Sequence, residues 1–256
     1  MWAESAWRPI SAGTAWSVQP LDNDASIFAG GRESHDYFYS RDYIDEGFEG
    51  RLGGAGSLES RFQHIPASTE VRDVALQSDG KAVAVGRTLR GHTRNSASLM
   101  VFRVQPDGTL DSTFGDAGIV RVSQGEGAQS VTLDPDGHIV VAGTQHDGAL
   151  MVVRLLATGD LDTTFGTDGI FIGPASDFCA QSDRTHTHIL RTASGGYRVS
   201  MSQCSVVALT AQGTLDTTFG SAGIAVLDPP LSWNSYACSA MVCAVQRTTA
   251  ARRSGG

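Results

Sequence analysis

Leu161-Asp162-Thr163-Thr164-Phe165-Gly166 decides the fold, because it occurs three times in one chain. The other copies are Leu110-Asp111-Ser112-Thr113-Phe114-Gly115 and Leu215-Asp216-Thr217-Thr218-Phe219-Gly220. After two intervening residues each copy continues with glycine and isoleucine: Gly118-Ile119, Gly169-Ile170 and Gly223-Ile224. A worn copy, Leu58-Glu59-Ser60-Arg61-Phe62, stands upstream. The four leucines lie 52, 51 and 54 positions apart, so the chain holds four units of nearly equal length. Self-similarity at such a period marks a repeat architecture.

A second signature recurs in phase with the first. Val74-Ala75-Leu76 precedes Ser78-Asp79-Gly80 and Ala82-Val83-Ala84-Val85-Gly86, and Val131-Thr132-Leu133 precedes Asp134-Pro135-Asp136-Gly137 and Ile139-Val140-Val141-Ala142-Gly143. Short β-branched runs around Asp-Gly read as hairpins, since glycine supplies the positive φ that the turn demands. The clearest unit gives four strands, at about 130–133, 139–144, 150–156 and 170–173, and no window shows a helical period. Four short antiparallel strands per repeat predict an all-β chain, a β-propeller of four-stranded antiparallel blades with about four repeats. The units fall at about 14–66, 67–123, 124–174 and 175–228. Residues 229–256 read as a partial fifth repeat and a disordered tail, which makes the chain a piece of a longer propeller.

Residues Arg103 to Gly118 and Arg154 to Gly169, with the hairpins Asp79 to Gly86 and Asp136 to Gly143, resemble the delta-60 repeat family of bacterial propeller-like repeats. The fourth unit has Ala208 where that pattern has arginine, and the first lacks the closing glycines. The resemblance implies a scaffold, in proteins that are often exported or surface-associated. The opening residues have no basic segment followed by an apolar run, so the chain shows no signal peptide and a cytoplasmic location stays open.

Composition narrows the function classes. The 256 residues carry 19 basic and 27 acidic side chains, a formal net charge of −8, which opposes nucleic-acid binding. No apolar run approaches the roughly 20 residues of a membrane span. Cys179, Cys204, Cys238 and Cys243 leave several pairings open, including a single Cys179–Cys204 bridge or free thiols.

Once-per-unit residues read as structural. Asp111, Asp162 and Asp216 each precede Ser/Thr-Thr, and their carboxylates can fold onto backbone N–H groups two residues on. Leu110 with Phe114, Leu161 with Phe165 and Leu215 with Phe219 are expected to plug the gaps between units, with Gly115, Gly166 and Gly220 closing the turns. The acidic hairpins are turns rather than dedicated calcium loops. His186 and His188 share one face of an expected strand and are weak metal-ligand candidates, with His138, His146, Cys179 and Asp177 as possible third partners. No cofactor motif is present.

Function is expected where the connections vary. The connection between the second and third strands is longest in the first unit, where Arg32 to Glu46 is rich in tyrosine and acid. Tyr37, Tyr39, Tyr43, Asp42 and Asp45 are the binding candidates, toward a protein or glycan partner. The first reading is therefore a non-enzymatic binding or structural module. One alternative is a propeller-type glycoside hydrolase or lyase using Asp42, Asp45, Glu46 and Asp177, and another is an intracellular assembly scaffold.

Overall fold

The computed structural model describes residues 13–20, 26–35, 42–52, 58–62, 69–88, 97–173, 187–201 and 205–226. These form sixteen strands in chain order: β1 (Gly13–Pro20), β2 (Ser26–His35), β3 (Asp42–Leu52), β4 (Leu58–Phe62), β5 (Thr69–Leu76), β6 (Ala82–Thr88), β7 (Ser98–Val104), β8 (Ile119–Val122), β9 (Gly125–Leu133), β10 (Ile139–Gln145), β11 (Leu150–Leu155), β12 (Ile170–Ile172), β13 (Thr187–Arg191), β14 (Tyr197–Met201), β15 (Ser205–Leu209) and β16 (Ile224–Val226). Each consecutive four pair as an antiparallel meander, giving four four-stranded sheets. The sheets pack in chain order, the first on the second, the second on the third and the third on the fourth. The all-β class and the four-stranded antiparallel sheets agree with the repeat pattern.

One repeated glycine has a cause that the sequence does not announce. Strand β5 carries a bulge at Arg72, so that Val71 faces Gly86 and Asp73 faces Val85. Strand β9 carries the same bulge at Gln129, and β1 carries it at Trp16. A Cβ on Gly86 would stand 1.7 Å from the Glu70 carbonyl oxygen, and one on Gly143 would stand 2.0 Å from that of Gly127. The bulge thus draws the opposing backbone so close that only glycine fits. In the fourth unit Met201 occupies that position, and the β13–β14 ladder is regular.

The Leu-Asp-x-Thr-Phe-Gly turn builds its own lattice. Asp111 Oδ1 accepts from Thr113 N at 3.1 Å and from the Thr113 hydroxyl at 2.7 Å, and Asp162 does the same with Thr164 at 3.0 and 2.7 Å. The guanidinium of Arg103 bonds Asp111 through Nε at 2.8 Å and lies 4.6 Å over the Phe114 ring; Arg154 repeats this with Asp162 at 2.6 Å and Phe165 at 4.8 Å. The fourth unit, with Ala208 at the arginine's place, draws its guanidinium from the neighbouring strand: Arg198, which faces Ala208 directly across the β14–β15 ladder, reaches Asp216 at 3.2 Å and stacks 4.6 Å over Phe219.

Core packing separates the two apolar positions of the turn. Phe114 and Phe165 are wholly buried, Phe114 among side chains of the second and third sheets and Phe165 among those of the third and fourth. Leu161 is 37% exposed, and Cβ atoms on Gly118 or Gly169 would meet Leu110 or Leu161 at 2.8 or 2.9 Å. The leucines therefore lie over their own turns, while the phenylalanines fill the gaps between sheets.

Candidate functional site

The first strands β1, β5, β9 and β13 pack side by side, and they bring one position of every unit together. Register defines it: Ser17 faces Ala29, Asp73 faces Val85, Ser130 faces Ala142 and His188 faces Ser200. Asp73 is the centre of this polar axis. Its Oδ1 accepts from the Ser17 hydroxyl at 2.6 Å and from Val74 N at 2.9 Å. Its Oδ2 accepts from the Ser130 hydroxyl at 3.0 Å and from Val131 N at 2.9 Å. Ser130 Oγ in turn accepts from Ile189 N at 3.3 Å, and Gln129 Oε1 accepts from Thr187 N at 2.7 Å. One chain of hydrogen bonds thus crosses all four sheets.

The physical need is clear. A first strand has a bare inner edge whose N–H groups meet no further strand, and buried donors must be paired. For β9 and β13 a side chain from the preceding sheet supplies the acceptor, and on β5 Asp73 caps Val74 N itself. A carboxylate offers about four lone-pair sites, and four donors already fill those of Asp73. Asp73 is built as a fastener and leaves no site for a substrate proton. His188 is half-buried; burial pushes its imidazole below the ordinary histidine value, against a smaller opposing pull from the Asp73 charge.

Beside this axis Glu70 is fully buried, and it takes Arg87 Nε at 2.7 Å and an ion pair from Arg72. Arg87 crosses to the third sheet, where a Cβ on Gly127 would stand 3.0 Å from its Cβ. The turn carboxylates are also paired. Burial pushes Asp111 and Asp162 up, but bonds from Thr113 and Lys81 in one case, and from Thr164 and Arg154 in the other, outweigh it and hold both below the usual carboxylate range. For Asp216 the Thr218 hydroxyl is the main cause of the same lowering.

Only one group of three metal-ligand side chains gathers among the described residues: Asp134, Asp136 and His138. Asp134 is already engaged by Arg191 Nε at 2.8 Å and by the Tyr197 hydroxyl at 2.6 Å. Burial, aided by Asp134, pushes that hydroxyl up to about 12. His138 stands 3.0 Å from Asp136 and 3.7 Å from Asp162, so it serves the turns while His188 serves the axis. His186, Asp177, Cys179, Cys204, Cys238 and Cys243 lie outside the described residues, as do Tyr37 and Tyr39.

The tyrosine-rich segment of the first unit departs from the loop expected there. Strands β2 and β3 run on as a ladder in which Arg32 faces Glu46, Glu33 faces Ile44, Ser34 faces Tyr43 and His35 faces Asp42, with Asp45 at a bulge. Past its motif glycine, Gly30, β2 has five further residues, whereas in the third unit β10 has two past Gly143 before the chain turns. At ~3.3 Å per residue the strand of the first unit runs on about 10 Å longer than that of the third. Sequence reasoning singled out this segment as a binding candidate and did not single out the axis, whose residues are of three types and share a phase in the repeat.

The β-propeller family model of a domain of unknown function, DUF5122, matches residues 77–114 and 135–165. Each segment runs from the Asp-Gly hairpin to the buried phenylalanine. A protein of unknown function from Dyadobacter fermentans superposes with a TM-score of 0.53 at 13% identity, over 86% of this chain and 66% of its own. The GH43_1 enzyme from Xanthomonas citri superposes with a TM-score of 0.50 at 14% identity, over 79% of this chain and 72% of its own. No curated protein matches the chain in sequence. At such identities the likeness concerns the fold alone: a β-propeller-like arrangement of four-stranded sheets.

Proposed function

We propose that the chain is a non-enzymatic propeller module that binds a protein or glycan through the edge bearing the second-to-third-strand connections, foremost the long ribbon of the first unit. The observation that supports this reading is the long β2–β3 ladder, which carries Asp42, Tyr43 and Asp45 and runs on further past its motif glycine than β10 does in the third unit. Five carboxylates of the axis and the turns support it from the other side. Asp73, Glu70, Asp111, Asp162 and Asp216 are all held by donors or cations, as in a scaffold. The delta-60 resemblance favours an exported or surface setting, and the four sheets are read as part of a larger propeller.

Replacing residues 33–45 with Asn-Gly, a two-residue turn suited to the Arg32–Glu46 pair, tests the reading. The full chain and the trimmed chain are compared on arrays of polysaccharides and bacterial surface proteins, with circular dichroism as the folding control. Binding by the full chain that disappears on trimming is the expected result. Equal binding by both chains, or release of reducing sugar from any polysaccharide by the full chain, would overturn it.

A further inference from the structure

In the second, third and fourth sheets the outermost strand reaches the start of the strand inside it. Leu99, one residue into β7, faces Val122. Gly173 N donates at 2.8 Å to the carbonyl of Leu150, where β11 begins, and Ser205, where β15 begins, faces Val226. The first sheet is built otherwise. Strand β4 pairs with β3 from Leu52 to Glu49, which faces Phe62, while β2 stays paired with β3 as far as Asp42, which faces His35. Residues 42–48 are therefore paired on one side, and among the described strands none lies along the other.

A strand edge without a neighbour turns the N–H and C=O of every second residue outward, as a template for one more strand. Charge narrows what such a template accepts. Asp42-Tyr43-Ile44-Asp45-Glu46-Gly47-Phe48 holds acids at 42, 45 and 46 and no base. Strand β2 sets Arg32 opposite Glu46 and His35 opposite Asp42, but the bulge leaves Asp45 with no residue opposite. Opposite charges facing across two strands stabilise the pair, and like charges oppose it. A second copy of this edge would lay acid on acid, in a chain whose net charge is −8. A strand carrying lysine or arginine meets no such repulsion. The acids thus act against self-pairing and in favour of a basic guest.

We infer that the open edge of β3 over residues 42–48 takes up an extended basic segment of a partner protein as an added antiparallel strand. The inference rests on the ribbon as the binding edge and chooses a protein over a glycan. A strand edge is matched by a row of amide N–H and C=O groups at strand spacing, which a sugar chain does not carry. Backbone pairing then supplies the affinity and the acids select the guest's side chains.

The probe is a short fluorescent peptide alternating valine with lysine, read by anisotropy against the full chain. A glutamate–valine counterpart tests the charge; the lysine–valine peptide N-methylated at every residue keeps the charge and loses the donors. Both controls should bind at least about tenfold more weakly, the worth of roughly two lost hydrogen bonds. Adding the lysine–valine peptide should slow hydrogen exchange at the amides of residues 42–48, read by mass spectrometry. Asp42→Lys combined with Asp45→Lys should move the preference to the glutamate–valine peptide; if that variant fails to fold, the peptide series on the unaltered chain decides. Equal binding of the N-methylated peptide, or slowed exchange elsewhere and not at 42–48, would overturn the added strand. A full chain that holds a polysaccharide through the ribbon but none of the peptides would overturn it too, and would leave the broader ribbon reading intact. Peptide binding that persists after residues 33–45 are replaced with Asn-Gly would overturn both.

Discussion

Asp73→Asn separates a fastener from a catalytic carboxylate. The asparagine keeps one acceptor oxygen and turns the other into an amide that can only donate. Either Val74 N and the Ser17 hydroxyl, or Val131 N and the Ser130 hydroxyl, then face a donor. The hydroxyls can rotate away, but a backbone N–H cannot. One buried orphan donor costs about 1–3 kcal/mol, and the lost charge assistance at the remaining bonds brings the expected total to about 2–3 kcal/mol. For a chain of this length that is a fall in Tm of about 4–12 °C. Urea unfolding followed by circular dichroism should show a lower midpoint with an unchanged slope, since the surface exposed on unfolding is the same. Asp73→Ala, which strands both N–H groups, should cost more. An Asn variant as stable as the parent, or more stable, would refute the reasoning, because carboxylates kept for chemistry are often held at the expense of stability.

The moved guanidinium predicts a rescue: Arg198→Ala should lower stability by about 1 kcal/mol, and adding Ala208→Arg should restore part of it, as read from thermal melts. Acid should act through the turns. The carboxyls of Asp111, Asp162 and Asp216 sit lower folded than unfolded, so their stabilisation is complete above about pH 5 and fades as pH falls below about 4; Asp162→Asn should flatten that acid slope in a pH series of melts. Gly143→Ala would set a Cβ 2.0 Å from the Gly127 carbonyl oxygen and should cost about 2 kcal/mol or more, whereas Gly148→Ala, with open space but φ +83°, should cost about 1 kcal/mol in the same unfolding assay.

Much of the fold was legible because its signals are local. The turns at Asp79-Gly80 and Asp136-Gly137 carry glycines at φ 83° and 91°, a requirement that any hairpin of this kind writes into two adjacent residues. The strand that starts at Gly125 was half missed, since Gly125, Glu126 and Gly127 have no strand propensity and are recruited by the bulged pairing with β10. Gly86 and Gly143 were visible as a motif without a reason, because the reason is a neighbouring backbone. The swap of Arg198 for an arginine at position 208 could not be seen along the chain: the two sites are ten residues apart and touch only through ladder register. Ser17, Asp73, Ser130 and His188 share a phase but no common residue type, so aligning the units in register would have found them and scanning for motifs would not. The ribbon residues were singled out by composition, and the strand geometry of Asp42 and Tyr43 was hidden because tyrosine and acid between two turns also describe a loop.

The relay at the axis gives two of the joints a direction. Asp73 reaches forward from the second sheet to Val131 N and Ser130 from the third to Ile189 N, while at the first joint Asp73 caps Val74 N within its own sheet and takes the Ser17 hydroxyl. Synthesis runs the same way. When a ribosome releases β9, the carboxylate that will cover its inner rim has already been made, and when β13 emerges the hydroxyl is waiting. A newborn module therefore never has to stand with an open border until its successor arrives, and a circular permutation that cuts between Asp73 and Ser130 would reverse that timing for one joint alone.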